Sequence, residues 1–284
     1  MSKMTTIIDK LEKLDSRIIY ILILIFTILP LVYPIGLPIP ISSEVKQAYE
    51  FIEKIPSGSV VLIGDEFTAP SWTELGPSYI AVLKHLIKKD IKFVKMSYFS
   101  AEAPAAFDSM IKPRIQSYLD KYNYKYGEDW VDLGYLPGGE AALAAYASNI
   151  YVVPTDRYGK PLSELPLYQK LKSFKDFALV VELDPGAHLP EYLRQFQTTF
   201  GTPHITITYG VTKSAYIPYL ASGQIKGMMA AIGGGAEYEQ LVGSPGVASA
   251  GMDAVSTSHL LAAALLILGN ITYIMKGGGR RKVK

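Results

Sequence analysis

Two charge-free apolar stretches bracket the chain, and the pattern between them alternates. The first stretch, Ile18 to Ile41, opens with Ile18-Ile19-Tyr20-Ile21-Leu22-Ile23-Leu24-Ile25-Phe26, apolar on every side. About 20 uncharged residues are enough to cross a hydrocarbon layer of roughly 30 Å, so residues 18–41 are predicted to form a transmembrane helix. A buried core helix is seldom so long and so evenly apolar. A cleavable leader would carry small residues where this chain has Pro30, Pro34, Pro38 and Pro40. Pro30 is expected to kink the helix, and the later prolines, with fixed φ and no N–H, to lead the chain out in extended form. The second stretch, Leu260–Met275, is short for a span by itself, and residues 257–275 are read as transmembrane helix 2. Asn270 is the strongly polar residue inside it. An amide in a span pairs with another helix, so Asn270 is assigned to helix packing, against residues 18–41 or a neighbouring subunit.

Between the stretches, helical spacing (Val45, Ala48, Tyr49, Phe51, Ile52) predicts a helix over 42–55. A continuous apolar run, Ser59 to Gly64, then fits a strand covered on both faces. Ser71-Trp72-Thr73-Glu74 is a capping-box pattern opening a helix to about Lys89. The rest predicts strands at 91–97, 130–135, 177–183, 204–208 and 225–232. Helices are expected at 105–122, 140–148, 189–199, 212–222 and 236–242, with a proline-punctuated loop over 151–168. Strands alternating with helices imply α/β: a three-layer, doubly wound, mostly parallel sheet of Rossmann-like kind, flanked by the two spans. The domain plan is an amphipathic segment at 1–17, span 18–41, α/β domain 42–243, small-residue linker 244–256, span 257–275 and basic tail 276–284.

Charge sets the orientation. Lys3, Lys10, Lys13 and Arg17 precede the first span, and Lys276, Arg280, Arg281, Lys282 and Lys284 follow the second. Both clusters favour the cytoplasmic side, which puts both termini inside and the α/β domain outside. The net charge of +2 leaves no nucleic-acid footprint. The chain has no cysteine, which excludes disulfides, cysteine metal sites and a thiol nucleophile.

Ligands in open α/β sheets bind beyond the carboxyl ends of the strands. Three groups of residues fall there. Asp65, Glu66 and Asp184 offer hard oxygen ligands for Mg²⁺ or Ca²⁺, with helix capping or a solvated loop as the plainer reading. Gly138 and Gly139, before Glu140, put free N–H groups at a helix start where an anion can bind, although Glu140 competes for that place. Gly233, Gly234 and Gly235 follow a strand and permit close approach of a ligand or of another backbone. His85, beside Lys84 and Lys88, is expected at the surface. His85, His188, His204 and His259 share no ligand spacing. Neither a phosphate-binding glycine motif nor a Gly-x-Ser-x-Gly elbow is present. No resident cofactor is expected.

At Leu133 to Glu140, at Pro161-Leu162-Ser163-Glu164-Leu165-Pro166, and at Pro218 to Gln224 running through Gly233 to Tyr238, the chain resembles a prokaryotic family of membrane-anchored α/β-domain proteins of no assigned activity. The resemblance implies that the glycine-rich turns are family features and transfers no catalytic role. The reading that follows is a non-enzymatic scaffold or binding subunit of a membrane assembly, self-associating. The alternatives are a membrane-tethered, metal-assisted hydrolase or transferase and a solute-sensing domain, both using the strand-end cleft.

Overall fold

The structure is a computed structural model that describes residues 15–275. Most of the amphipathic segment 1–17, and all of the basic tail 276–284, lie outside the described residues. The chain divides into two compact units, Met1–Pro38 with Ser249–Lys284, and Ile39–Ala248.

The larger unit is built on six parallel strands: β1 (Val60–Asp65), β2 (Lys92–Ser97), β3 (Trp130–Tyr135), β4 (Phe177–Asp184), β5 (His204–Thr208) and β6 (Gly227–Ala230). Their order across the sheet is β3-β2-β1-β4-β5-β6, so the winding reverses between β1 and β4. This is the order of doubly wound dinucleotide-binding folds. Near-uniform burial along the strands explains why they read as apolar runs.

Strand alternation sorts the core in two. Val61, Ile63, Phe93, Trp130, Val181 and Ile207 pack on one face, with Leu75, Tyr79, Leu83, Phe107, Ile115 and Tyr238. Leu62, Val94, Met96, Val131 and Val180 pack on the other, with Leu143, Tyr146, Tyr168, Phe174, Tyr192 and Phe196. With helices numbered in chain order, α2 (Ser43–Glu53), α3 (Trp72–Lys88), α4 (Lys112–Lys121) and α8 (Ala231–Val242) supply the first face. On the second face lie α5 (Glu140–Ser148) and α6 (Leu189–Tyr192), which continues as a π-helical turn, Leu193–Thr198. Helix α7 (Lys213–Ala221) adds Tyr216 to a small cluster with Leu189, Leu193 and Met228.

Three expectations change. Gly233, Gly234 and Gly235 are inside α8, not before it. Gly234 would meet Met229 backbone at 3.1 Å, and Gly235 would meet Ser78 of α3 at 3.0 Å, if either carried a Cβ. Close helix packing has overridden glycine's poor helix propensity. His85 is 1 % exposed. Its Nδ1 meets Tyr238 Oη at 2.8 Å and its Nε2 meets Glu53 Oε1 at 2.8 Å, so it is an interior residue of α3. The third concerns residues 244–256, which are not a linker throughout, because a helix begins at Val247.

In the smaller unit, α1 (Ser16–Val32) retains Pro30 and stops nine residues before Ile41, where Pro34, Pro38 and Pro40 disfavour the helical region for the residues preceding them. At 17 residues α1 is apolar but short. Helix α9 (Val247–Met275) contains the stretch Val247–Ile274, the one described helix long and apolar enough to cross a membrane. The two helices run antiparallel. Thr257 Oγ1 donates to Phe26 O at 2.6 Å, and Thr27 Oγ1 meets Ser258 Oγ at 2.9 Å. The buried Asp253 carboxylate accepts from the N–H groups of Ile35, Gly36 and Leu37 at 2.7, 2.8 and 2.9 Å.

Candidate functional site

The crevice at the β1/β4 reversal is where this sheet order places a ligand. Its floor is Gly64, and a Cβ added there would overlap the ring of Tyr192. The glycine admits a tyrosine of the same chain. Tyr192 Oη then donates to Glu66 Oε1 at 2.9 Å.

Glu66 closes the adjacent turn. The N–H groups of Tyr98, Phe99 and Ser100 converge on its carboxylate at 3.0, 3.0 and 2.8 Å, and Ser97 Oγ adds a bond of 2.6 Å. Successive N–H groups of this kind make an anion-binding concavity. Here its anion is a side chain.

Asp65, one residue earlier, points to the opposite face. It is fully buried, and its close partner is the Lys95 ammonium. Lys95 Nζ lies 3.0 Å from Asp65 Oδ2 and 3.0 Å from Asp132 Oδ2, with the Phe107 ring 4.6 Å away. Asp132 is better served: Arg157 bonds it at 2.7 Å and Gly134 N at 2.9 Å. Arg157 also reaches Asp108 at 2.5 Å. Burial pushes the Asp65 carboxyl up to about 6, partly opposed by Lys95. Burial alone would lower the Lys95 pKa, but the two aspartates outweigh it and raise it.

Asp184 accepts from Gly186 N at 2.9 Å, from His188 N at 3.1 Å and from Tyr216 Oη. Its strand neighbour in register with Asp65 is Leu183, so alternation turns Asp184 to the face away from Asp65. Asp65, Glu66 and Asp184 are adjacent in the fold and do not converge. Among the described residues no group of three or more His, Asp or Glu side chains is placed to hold a metal ion.

Beside Asp184, burial and the charges of Asp184, Glu66 and Glu191 push the Glu182 carboxyl well above its usual range. Burial holds the His204 imidazole down to about 3. Glu182 Oε2 and His204 Nε2 are 3.0 Å apart, both side chains wholly enclosed. Both shifts favour the uncharged forms of the pair, despite its salt-bridge spacing. Sequence reading missed two buried polar clusters, Lys95 with Asp132 on one face of the sheet and Glu182 with His204 on the other. The available signal was that all four are polar residues inside otherwise apolar strand runs.

The glycine turns serve packing and chain direction. Gly138 and Gly139 have φ of 126° and 61°, and Gly139 opens α5. The Glu140 carboxylate after them is taken by Arg194, through two bonds of 2.8 Å, and by Gln195 at 2.9 Å. The turn borders an apolar groove of about 240 Å³ lined by Tyr135, Leu136, Pro137, Ala142 and Val152, an environment unsuited to an anion. Asn270, assigned to packing, is exposed on α9, and among the described residues its side-chain amide has no hydrogen-bond partner. Comparison of the chain with protein-family models, curated proteins and solved structures found no match.

Proposed function

We propose that the protein is a non-enzymatic, self-associating scaffold or binding subunit of a membrane assembly. In this reading α1 and α9 are its anchors, both termini are cytoplasmic and the α/β domain is extracytoplasmic. One observation carries it: the crevice where a doubly wound sheet would hold a cofactor is filled by Tyr192 on Gly64 and by Glu66 on the 98–100 turn. A fold that keeps its architecture while stoppering its ligand site retains surface and shape as its means of action. The α1–α9 hydrogen bonds support paired anchors. The hydrolase or transferase reading needs Asp65, Glu66 and Asp184 to share a ligand, and strand alternation separates Asp65 from Asp184.

The test uses the full-length protein in mild detergent. The expected result is a mass of two or more chains by light scattering. Melting is expected to be unmoved by a panel of nucleotides, dinucleotides, Mg²⁺ and Ca²⁺. A monomer at all concentrations, or a ligand that raises the melting temperature by several degrees, overturns the proposal. Protease added to intact cells is expected to cut the central domain.

A further inference from the structure

Helix α9 has two unlike long faces. On the side toward α1, Asp253, Thr257 and Ser258 are each hydrogen-bonded to it or to the chain just beyond it. The other side carries Met252, His259, Leu266 and Tyr273 at seven-residue intervals, interleaved with Val255, Ala262 and Gly269. Val255, Leu266 and Tyr273 are 43, 68 and 63 % exposed, and His259, Ala262 and Gly269 are exposed as well. Asn270 lies eleven residues beyond His259, which at 100° per residue returns it to within about 20° of the same direction.

The polar groups on this face are the anomaly. The Thr27–Ser258 pairing puts His259 level with the middle of α1. From Met275, His259 is sixteen residues up the helix, about 24 Å, and Asn270 five residues, about 8 Å. If α9 spans the bilayer, both groups lie within its hydrocarbon thickness, where an unpaired amide or imidazole is costly. Among the described residues neither side chain has a hydrogen-bond partner in its own chain.

We infer that α9 packs against α9 of a second copy of this chain, through the face Val255, His259, Ala262, Leu266, Gly269 and Asn270. This rests on the membrane-anchored reading above and names the surface through which self-association occurs. Copies inserted in one orientation present like helices in parallel, so a rotation axis along the membrane normal brings each residue opposite its own counterpart. An asparagine amide is both donor and acceptor, as is a neutral imidazole, so each satisfies its symmetry mate. The seven-residue repeat keeps one seam facing the partner, and Ala262 and Gly269 let the backbones approach.

The chain has no cysteine, so single cysteines report without background. Full-length protein in membranes, carrying Ala262→Cys or Leu266→Cys, should form disulfide-linked dimers on mild oxidation. Leu261→Cys and Leu265→Cys, on the face toward α1, should not. His259→Leu with Asn270→Leu should lower the dimer yield of the Ala262→Cys protein by about tenfold, taking about threefold for each polar contact. Equal cross-linking on both faces, or none at Ala262 and Leu266, overturns the inference. If light scattering still shows an oligomer in that case, self-association stands and this surface is wrong. A monomer by both measures removes both.

Discussion

The two faces of the sheet bury polar side chains to the same depth and treat them in opposite ways. On the α3 face, Lys95 stands between Asp65 and Asp132, and the charges are retained by pairing. On the α6 face, Glu182 and His204 lie 3.0 Å apart with their pKa values displaced toward the neutral forms. Burial is complete in both, so depth does not decide the outcome. The donors decide it: a lysine and an arginine reach the first cluster, while the second has one imidazole. A buried charge survives only where enough opposite charge and hydrogen bonding accompany it. Glu66 is held in a third way, by three backbone N–H groups of the turn at 98–100 together with the Ser97 and Tyr192 hydroxyls.

The largest expected effect comes from removing the cation. Lys95→Met leaves Asp65 and Asp132 buried without their shared partner and should cost about 3–5 kcal/mol. Glu182→Gln, at equal depth, keeps a hydrogen-bond donor toward His204 and should cost no more than about 1 kcal/mol. Urea denaturation followed by tryptophan fluorescence reads both, because Trp72 and Trp130 lie in this unit. Equal losses would end the distinction between the faces.

The elements of the fold were largely legible from apolar runs and helical spacing, although the capping box read at Ser71–Glu74 is not formed: Ser71 Oγ is bonded to Thr68, and Glu74 accepts from Gly210 N. Three of them, Trp130–Tyr135, Glu140–Ser148 and His204–Thr208, coincide with the ranges read from the sequence. The cluster around Lys95 was not legible as a unit. It depends on strand order, which places Asp65, Lys95 and Asp132 on neighbouring strands, and no local pattern specifies that order. One part could have been foreseen: Asp65 and Glu66 are consecutive and point to opposite faces of any strand that includes them. The start of α9 at Val247 was hidden for another reason. Its first turns are small and polar, and they are stabilised by bonds to distant residues of the α1 region, not by helical periodicity.

Acid should act on Asp65 and on His204 with opposite signs. A raised carboxyl pKa means the native state holds a proton that the unfolded state releases, so Asp65 contributes stability below about pH 6 that is lost as pH rises from 3.8 to 6. Glu182 acts in the same direction. His204 does the reverse: with its pKa lowered from 6.5 to about 3, the unfolded state takes up the proton first, and stability falls as pH drops below 6.5. Between pH 7 and pH 5, His204→Gln should therefore gain about 2 kcal/mol relative to wild type, and Asp65→Asn should lose about 1 kcal/mol relative to it. Parallel profiles for the two variants would overturn the opposite displacements of Asp65 and His204.

The smallest effect tests whether the stopper at the β1/β4 crevice is held by packing or by its hydroxyl. Tyr192 belongs to the α6 face, yet its Oη reaches Glu66, whose other donors are three backbone N–H groups and Ser97. Tyr192→Phe keeps the ring on Gly64 and removes one of five donors. Four donors remain on the carboxylate, so the loss should be about 1 kcal/mol, the net worth of one hydrogen bond. The ring should remain in place, since Phe196 and His204 still flank it at 5.7 and 5.9 Å between ring centroids. A loss of 3 kcal/mol or more would mean that Glu66 depends on the phenol as Asp65 depends on Lys95, and the backbone-held carboxylate would then belong with the side-chain-held ones.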